Sequence, residues 1–302
     1  MQDLESTARR IRCDIVKMIH EAGSGHPGAA LSCVEIVTAL YFDVMRLDPA
    51  RPDWRERDRF ILSKGHACPV QYAALARRGF FPVEELSTLR QINSRLQGHP
   101  DMNKTPGVDM TSGSLGNGLS CGVGMALAAR MDGLPSRVYV LLGDGEVQEG
   151  IVWEAAMTAA HYKLDNLTAI IDSNGLQLDG RVCDIMDIEP LADKWRSFRW
   201  NVIECDGHDF GKLLTAFEQA KATTGAPTVI IADTTKGKGV SFMEDECDWH
   251  GRCPTCDEVE KALAELEAGP LRHSERSEES AFPERAEKQI LRAAQNDMNG
   301  TE

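Results

Sequence analysis

Apolar runs in the second half of the chain alternate with stretches whose apolar residues recur at helical spacing. Three continuous runs cover residues 138–142, 167–171 and 228–232, and a less regular one covers 201–205. Helical spacing marks residues 151–162 and 210–222 between them. Unbroken apolar strands that alternate with helices are typical of a parallel sheet with helices on both faces. The pattern therefore predicts an α/β fold.

The first half of the chain is predicted to form helices around one short strand. Residues 4–21 and 33–45 have helical spacing, and "GSGHPGAALS" breaks the pattern between them. A strand follows in "RFILSKGHA", which ends in a Gly-His turn. Further helices are predicted over 69–78, 83–92 and 119–131. Residues 98–118 are polar and rich in glycine, and a loop of this length inside a domain usually carries function.

The bulk composition restricts the class of ligand. With 302 residues the chain is long for one domain and short for two. A net charge of −14 argues against nucleic acid, so an anionic ligand needs a local device such as a metal ion or a helix N-terminus. No apolar run has the roughly 18 residues of a membrane span. The N-terminus lacks an apolar signal core and the nine cysteines lack a framework spacing, so a cytoplasmic location is expected.

Polar residues directly follow two of the apolar runs. Gly143-Asp144-Gly145 ends one run, and Asn174 follows the next. Parallel sheets bind ligands at the carboxyl ends of their strands. A carboxylate and an amide oxygen suit Mg²⁺, the glycines let the backbone approach an anion, and a helix starting near Gly150 adds its positive end. Asp144 is therefore predicted to anchor a metal ion that carries a diphosphate, although a Gly-Asp-Gly turn alone is more often only a turn.

Four candidate histidines, His26, His66, His99 and His250, each stand beside glycine in a polar loop. Imidazole exchanges protons near neutral pH, and small neighbours let a ligand approach. These four are candidates for proton transfer with substrate hydroxyls. The other four are expected to be surface or hydrogen-bonded core residues: His20, His161, His208 and His273.

Between about residues 5 and 265 a set of glycine-rich and polar segments occurs in this order: "SGHPGAALS", "DRFILSKGHA", "QGHPD", "TSGSLGNG", "GDGEVQEGIVWEAA", "IIDSNGLQLDG", "DGHD" and "TTKGKGV…WHG". Taken together, these segments resemble the amino-terminal half of transketolase. Asp144 with Asn174 also resembles the thiamine-diphosphate signature. The resemblance implies a thiamine-diphosphate-binding fold, its diphosphate-binding domain, and thiamine diphosphate and Mg²⁺ as cofactors. Asn117 stands where the family motif has glutamine, and the shorter amide is expected to alter the contacts of that loop.

The resemblance also implies roles for individual residues. The implied metal ligands are Asp144, Asn174 and the carbonyl of Leu176. The implied cofactor-binding residues are His66, Gly113, Leu115, Asp144, Gly145, Glu149, Asn174, Lys236 and His250. Gly143 joins this set because a glycine there lets the backbone approach the anion. Gly113 and Leu115 match the loop along the aminopyrimidine, and Glu149 matches a carboxylate at the subunit interface. The implied catalytic set is His26, His66, His99 and His250, in which His26 and His99 face the hydroxyls of the donor sugar.

A full transketolase is roughly twice as long, and the resemblance ends after the diphosphate-binding domain. The pyrimidine-binding domain, which carries the glutamate that activates the cofactor, is missing. The resemblance therefore implies a split enzyme that transfers a two-carbon ketol unit from a ketose phosphate to an aldose phosphate. Residues 1–268 are its expected domain, completed by a separate carboxyl-terminal subunit in a heterotetramer of two plus two. Residues 269–302 are expected to be a disordered, charged tail.

Three alternatives stay open. The first is another thiamine-diphosphate enzyme, either the alpha subunit of a 2-oxoacid dehydrogenase or a relative of deoxyxylulose-phosphate synthase. The second is an inactive chain that binds only the cofactor or a partner. The third is a zinc site formed by Cys247, His250, Cys253 and Cys256. This group includes a Cys-x₂-Cys spacing, which is typical of zinc ligands.

Overall fold

Five parallel strands form the central sheet of the computed structural model, which describes residues 2–178 and 180–268. The strands in this part of the chain are β1 (Arg59–Leu62), β2 (Val138–Gly143), β3 (Leu167–Ser173), β4 (Leu176–Gln177), β5 (Gly180–Arg181), β6 (Asn201–Asp206) and β7 (Thr228–Asp233). The order in the sheet is β1-β2-β3-β7-β6, and β4 pairs with β5 in a small antiparallel hairpin. All five predicted strands are confirmed.

Helices cover both faces of this sheet. They are α1 (Gln2–Ala22), α2 (Pro27–Ser32), α3 (Val34–Ala39), α4 (Cys68–Arg78), α5 (Asn117–Met131), α6 (Gly150–His161), α7 (Val182–Ile185), α8 (Leu191–Ser197), α9 (Phe210–Ala222) and α10 (Cys256–Glu267). Successive side chains of a strand point to opposite faces. Tyr139 and Leu141 join a core with α1, α3, α4 and α9, whereas Val140 and Leu142 join a core with α5, α6 and α8. The predicted α/β class is confirmed.

The register of the strands brings their carboxyl ends to one edge of the sheet. Gly143 of β2 lies beside Asp172 of β3, and Ser173 lies beside Asp233 of β7. Asp206 of β6 also lies beside Asp233. The loops that leave these ends therefore start close together, although they are far apart in the sequence.

Two predicted helices are wrong in extent. The helix predicted over 33–45 begins earlier, since α2 starts at Pro27, α3 follows after Cys33, and a π-helical turn covers Leu40–Val44. Proline suits the first turn of a helix because that position needs no N–H donor, so "HPGAALS" starts a helix instead of breaking one. Only Val83–Thr88 of the predicted helix 83–92 is helical, as a 3₁₀ turn. Arg90 and Asn93 have positive φ, which a helix cannot continue through.

The apolar spacing did not reveal α8 and α10. α10 packs on α1 through Val259, Ala262 and Leu266, which are buried at helical spacing. The described residues up to Glu267 form one compact unit. The predicted tail, 269–302, lies outside the described residues. None of the helices in the described part of the chain has the length and apolarity that crossing a bilayer requires.

Candidate active site

Asp144 follows β2 and is held in a turn by backbone donors. Its Oδ1 accepts a hydrogen bond from Gly145 N at 2.8 Å, and its Oδ2 accepts one from Gly175 N at 2.5 Å. The side chain is only 3% exposed. Burial, reinforced by the nearby charge of Asp172, raises the pKa of Asp144 to about 6. A cation beside Asp144 would favour the charged form of this carboxylate.

Asn174 and Leu176 complete the loop beside Asp144. Asn174 Oδ1 accepts from Leu176 N at 3.1 Å, and Asn174 Nδ2 donates to Asp172 Oδ2 at 3.0 Å. Both residues are buried, and Gly175 between them binds Asp144. The structure thus brings the three predicted metal ligands together. Their carboxylate, amide and carbonyl oxygens form the donor set that Mg²⁺ prefers, so the residues fit this metal.

Gly145, which follows Asp144, has no room for a side chain. A Cβ on Gly145 would lie 2.9 Å from Gln177 Cβ, so no larger residue fits there without a shift. Gly145 opens a 3₁₀ turn over Gly145–Gln148, and α6 begins at Gly150. Glu149 precedes α6 and is exposed.

The sequence interpretation missed a buried charge pair next to this loop. Lys64 Nζ lies 2.5 Å from Asp172 Oδ2, and both side chains are almost fully buried. Burial opposes both charges, but each stabilises the other, so the pKa of Lys64 is raised and that of Asp172 is lowered. The hydroxyls of Ser32 and Thr234 each donate to Asp172 Oδ1 at 2.7 Å. Charged residues directly after apolar strands were the signal that could have revealed the pair.

Glu146 is a second missed residue, and it joins three segments of the site. Its carboxylate accepts hydrogen bonds from Ser63 Oγ, from Gly116 N at 2.8 Å and from Gly143 N at 3.0 Å. It therefore fixes the loop of Gly113 and Leu115 relative to the end of β2. Leu115 is 37% exposed in that loop.

Three of the four candidate histidines form a compact triangle. The ring centroids of His26, His66 and His250 lie 5.2–5.4 Å apart. Burial lowers the pKa of His26 to about 4, and the charge of Arg90 adds to this effect. Burial also lowers the pKa of His250 to about 4, with a further contribution from Lys236. Burial and Lys64 lower the pKa of His66 to about 2. All three rings are therefore neutral at pH 7, so each has one ring nitrogen that can accept a hydrogen bond from a hydroxyl.

The remaining predicted residues border this triangle. Lys236 is 1% exposed, and its Nζ lies 3.1 Å from His250 Nδ1. His99 stands beside the glycine loop, since a Cβ on Gly113 would lie 3.4 Å from the His99 ring. His26 Nδ1 is buried without a hydrogen-bond partner among the described residues, so it is available to a ligand.

The histidines expected to be structural behave differently. His20 Nδ1 lies 2.9 Å from Pro254 O, and His161 is exposed. His208 is hydrogen-bonded to Glu35 and to Thr235 N. His273 lies outside the described residues.

The zinc alternative is not supported by the geometry. His250 contacts Lys236, whereas Cys253 Sγ lies 3.4 Å from Ile19 O and Cys256 Sγ lies 3.7 Å from His20 Nε2. In the part of the chain that the structure describes, no three His, Cys, Asp or Glu side chains are grouped to hold a metal ion.

A family model decides the classification of this site. The model for "transketolase, thiamine diphosphate binding domain" matches residues 3–279. The chain belongs to this family. Membership in the transketolase family confirms the predicted fold, and the predicted cofactors, thiamine diphosphate with Mg²⁺, are those of the family.

Individual transketolase relatives fall into two groups by length. A 6-deoxy-6-sulfo-D-fructose transketolase subunit from Clostridium sp. (strain MSTE9) is 48% identical over 265 residues, which cover 88% of this chain and 96% of that protein. One of the subunits of apulose-4-phosphate transketolase from Phocaeicola vulgatus is 43% identical over 266 residues, which cover 88% and 94%. The transketolase of Rattus norvegicus is also 43% identical, but the chain spans only 42% of its length.

Solved transketolases share the same architecture. The enzyme from Leishmania mexicana superposes with a TM-score of 0.82 at 35% identity, over 87% of this chain and 41% of that chain. A complex of the Pichia stipitis transketolase with sedoheptulose-7-phosphate gives 0.83 at 34% identity, over 87% and 40%. These relatives place the chain with the transketolase-type transferases.

Proposed function

We propose that this chain is the amino-terminal subunit of a split transketolase, which transfers a two-carbon ketol unit from a ketose phosphate to an aldose phosphate. One observation carries the proposal: the turn of Asp144 after β2 is hydrogen-bonded to the loop of Asn174 and Leu176 after β3, close to three neutral histidines. The near-complete coverage of separately encoded transketolase subunits supports the split arrangement. A carboxyl-terminal subunit completes the enzyme as a heterotetramer of two plus two in the cytoplasm.

The chain's own residues have distinct proposed tasks. Asp144, Asn174 and the Leu176 carbonyl hold Mg²⁺, while Gly143 and Gly145 let the diphosphate approach the backbone. Thiamine diphosphate, when bound, supplies the electron sink for breaking the carbon–carbon bond next to the donor carbonyl. Because the cation neutralises the diphosphate locally, the negative charge of the whole protein does not prevent binding.

The remaining residues divide between cofactor, sugar and partner. His66, His250 and Lys236 lie on the cofactor side, and Gly113 and Leu115 lie along the aminopyrimidine. His26 and His99 bind donor hydroxyls, and a neutral imidazole such as that of His26 accepts or returns their protons. Glu149 faces the activating glutamate of the partner subunit.

Two classes of donor are candidates. The first is xylulose 5-phosphate with ribose 5-phosphate as acceptor, in the pentose phosphate pathway, although the sequence does not determine the donor, the acceptor or the pathway. A specialised donor is the second candidate, because the relatives matched over nearly their whole length are named for 6-deoxy-6-sulfo-D-fructose and apulose 4-phosphate.

The test is a two-carbon transfer assay on this chain alone, on the candidate carboxyl-terminal subunit encoded by a neighbouring gene alone, and on the two together. Each sample is assayed with and without thiamine diphosphate and Mg²⁺. The donors compared are xylulose 5-phosphate, 6-deoxy-6-sulfo-D-fructose and apulose 4-phosphate, with pyruvate as the control for another enzyme class. Activity only in the complete mixture is expected. Turnover by this chain alone contradicts the split, and cofactor binding without turnover of any donor favours an inactive chain.

A further inference from the structure

A buried polar network lies next to the segment that carries Lys236, and the proposed reaction does not use it. Arg12 of α1 binds both carboxylate oxygens of Glu35 in α3, with N–O distances of 2.6 and 2.8 Å. His208 Nδ1 lies 2.9 Å from Glu35 Oε2. Arg12 is 1% exposed and Glu35 is 5% exposed. Desolvating these charges is costly even when they are paired, so a buried network of this kind is a candidate for a role in positioning rather than in stability.

The network binds the backbone on both sides of Lys236. His208 Nε2 accepts a hydrogen bond from Thr235 N at 2.8 Å, immediately before Lys236. Arg12 Nε donates to Lys238 O at 2.9 Å, two residues after it. The lysine is thus held between two anchors, and its Nζ lies 3.1 Å from His250 Nδ1.

Glu35 determines which atom of His208 faces Thr235. Nε2 receives an N–H donor, so it carries no proton, and the ring proton of the neutral imidazole is on Nδ1. That N–H donates to Glu35, which makes Glu35 the residue that fixes the tautomer and the orientation of the ring. Without the carboxylate, the other tautomer would place an N–H against Thr235 N–H.

We propose that His208, whose ring is oriented by Glu35, is a positioning residue that holds Lys236 against His250 at the cofactor side of the site. The inference rests on the proposed function in naming the cofactor, but the hydrogen-bond relay belongs to the chain itself. Neither residue reaches His250 directly, so each acts through the backbone of Thr235. Binding and catalytic side chains depend on supporting residues that hold them in position to within less than about 1 Å.

Two substitutions of His208 separate its two hydrogen bonds. His208→Gln places an amide oxygen near the position of Nε2 and keeps the acceptor for Thr235 N–H. His208→Asn places its amide near Nδ1 and keeps only the donor to Glu35. Both variants remove the imidazole, so they control for lost packing.

The first measurement is hydrogen–deuterium exchange at Thr235 in this chain without cofactor. Exchange faster in His208→Asn than in His208→Gln is expected. Equal exchange in the two variants overturns the inference, whatever the fate of the proposed function.

The second measurement is the KM for thiamine diphosphate of the reconstituted two-subunit enzyme. His208→Asn is expected to raise KM about fivefold, the cost of one hydrogen bond, and His208→Gln to stay within about twofold of the wild type. Lys236→Met with and without His208→Asn completes a double-mutant cycle. No further loss in the Lys236→Met background is expected, and fully additive losses overturn the inference. If the wild-type two-subunit enzyme turns over none of the donors, the proposed function is wrong. The hydrogen–deuterium exchange at Thr235 then tests the positioning role of His208 by itself.

Discussion

Lys64 Nζ and Asp172 Oδ2 lie 2.5 Å apart in the interior, where they join the end of β1 to the end of β3. Asp172 also accepts hydrogen bonds from Asn174 Nδ2, Ser32 Oγ and Thr234 Oγ1. The pair therefore connects the histidine-bearing loop after β1 with the proposed metal loop. Its burial makes the two charges dependent on each other.

Lys64→Met is expected to lower the free energy of unfolding by about 3–5 kcal/mol, because it leaves Asp172 as an uncompensated buried charge. Lys64→Met combined with Asp172→Asn should recover part of this loss. Urea denaturation of the chain followed by circular dichroism measures both. Lys104→Met, at an exposed lysine, is the matched control. A cost for Lys64→Met no larger than that of the control contradicts the prediction.

Asp144→Asn is expected to weaken binding of thiamine diphosphate with Mg²⁺ by at least about 100-fold, because a neutral amide replaces the anionic metal ligand. The fold should survive, since the amide oxygen still accepts from one of the two backbone donors, Gly145 N or Gly175 N. Calorimetric titration of the two-subunit mixture measures the affinity. Asp257→Asn, on the exposed side of α10, should bind like the wild type. Unchanged affinity in Asp144→Asn would remove the metal assignment.

The histidine triangle predicts acid sensitivity of the chain without cofactor. Burial first, and neighbouring positive charges second, lower the pKa of His26 and of His250 from 6.5 to about 4. Between pH 4 and pH 6.5 the unfolded chain binds more protons at these histidines than the folded chain does. Their contribution to the free energy of unfolding is therefore fully present above pH 6.5 and is lost as the pH falls towards 4.

Unfolding free energies measured by urea from pH 7.5 to 4.5 check this dependence. His26→Gln and His250→Gln should each flatten it, because glutamine does not titrate. His161→Gln, at an exposed histidine, should leave the slope unchanged. An unaltered slope in the double variant His26→Gln/His250→Gln contradicts the prediction.

Deletion of residues 269–302 tests the proposed domain boundary. The described residues up to Glu267 form one compact unit, so the shortened chain should fold and bind thiamine diphosphate with its partner as well as the full chain does. Deletion from residue 256 onwards is the contrasting variant. It removes α10, whose Val259 and Ala262 are buried, and should destabilise the fold. The full chain and the chain without residues 269–302 are expected to bind the cofactor with equal affinity. A large loss of affinity in the shortened chain would show that residues 269–302 contribute to cofactor binding.

The sequence by itself determined the sheet and the polar ends of its strands. A strand covered on both faces is apolar at every position, so Val138–Leu142 and Leu167–Ile171 were visible as unbroken runs. Asp144 and Asn174 were visible because each stands within three residues of the end of such a run. Local backbone signals were less decisive, since Pro27 starts a helix in a stretch that was predicted to break one, and the positive φ of Arg90 has no marker in its residue type.

Only the tertiary structure decided which side chains meet. Lys64 and Asp172 are 108 residues apart in sequence, Arg12 and Lys238 are 226 apart, and His208 and Glu35 are 173 apart. Hydrophobic periodicity reports the face on which a residue lies, but it does not report the partner across the sheet edge. That partner is fixed by the strand order β1-β2-β3-β7-β6, which packing of both cores selects. The same packing partly buries the histidine triangle and thereby lowers the pKa of each ring, because desolvation depends on the folded surroundings and not on the residue itself.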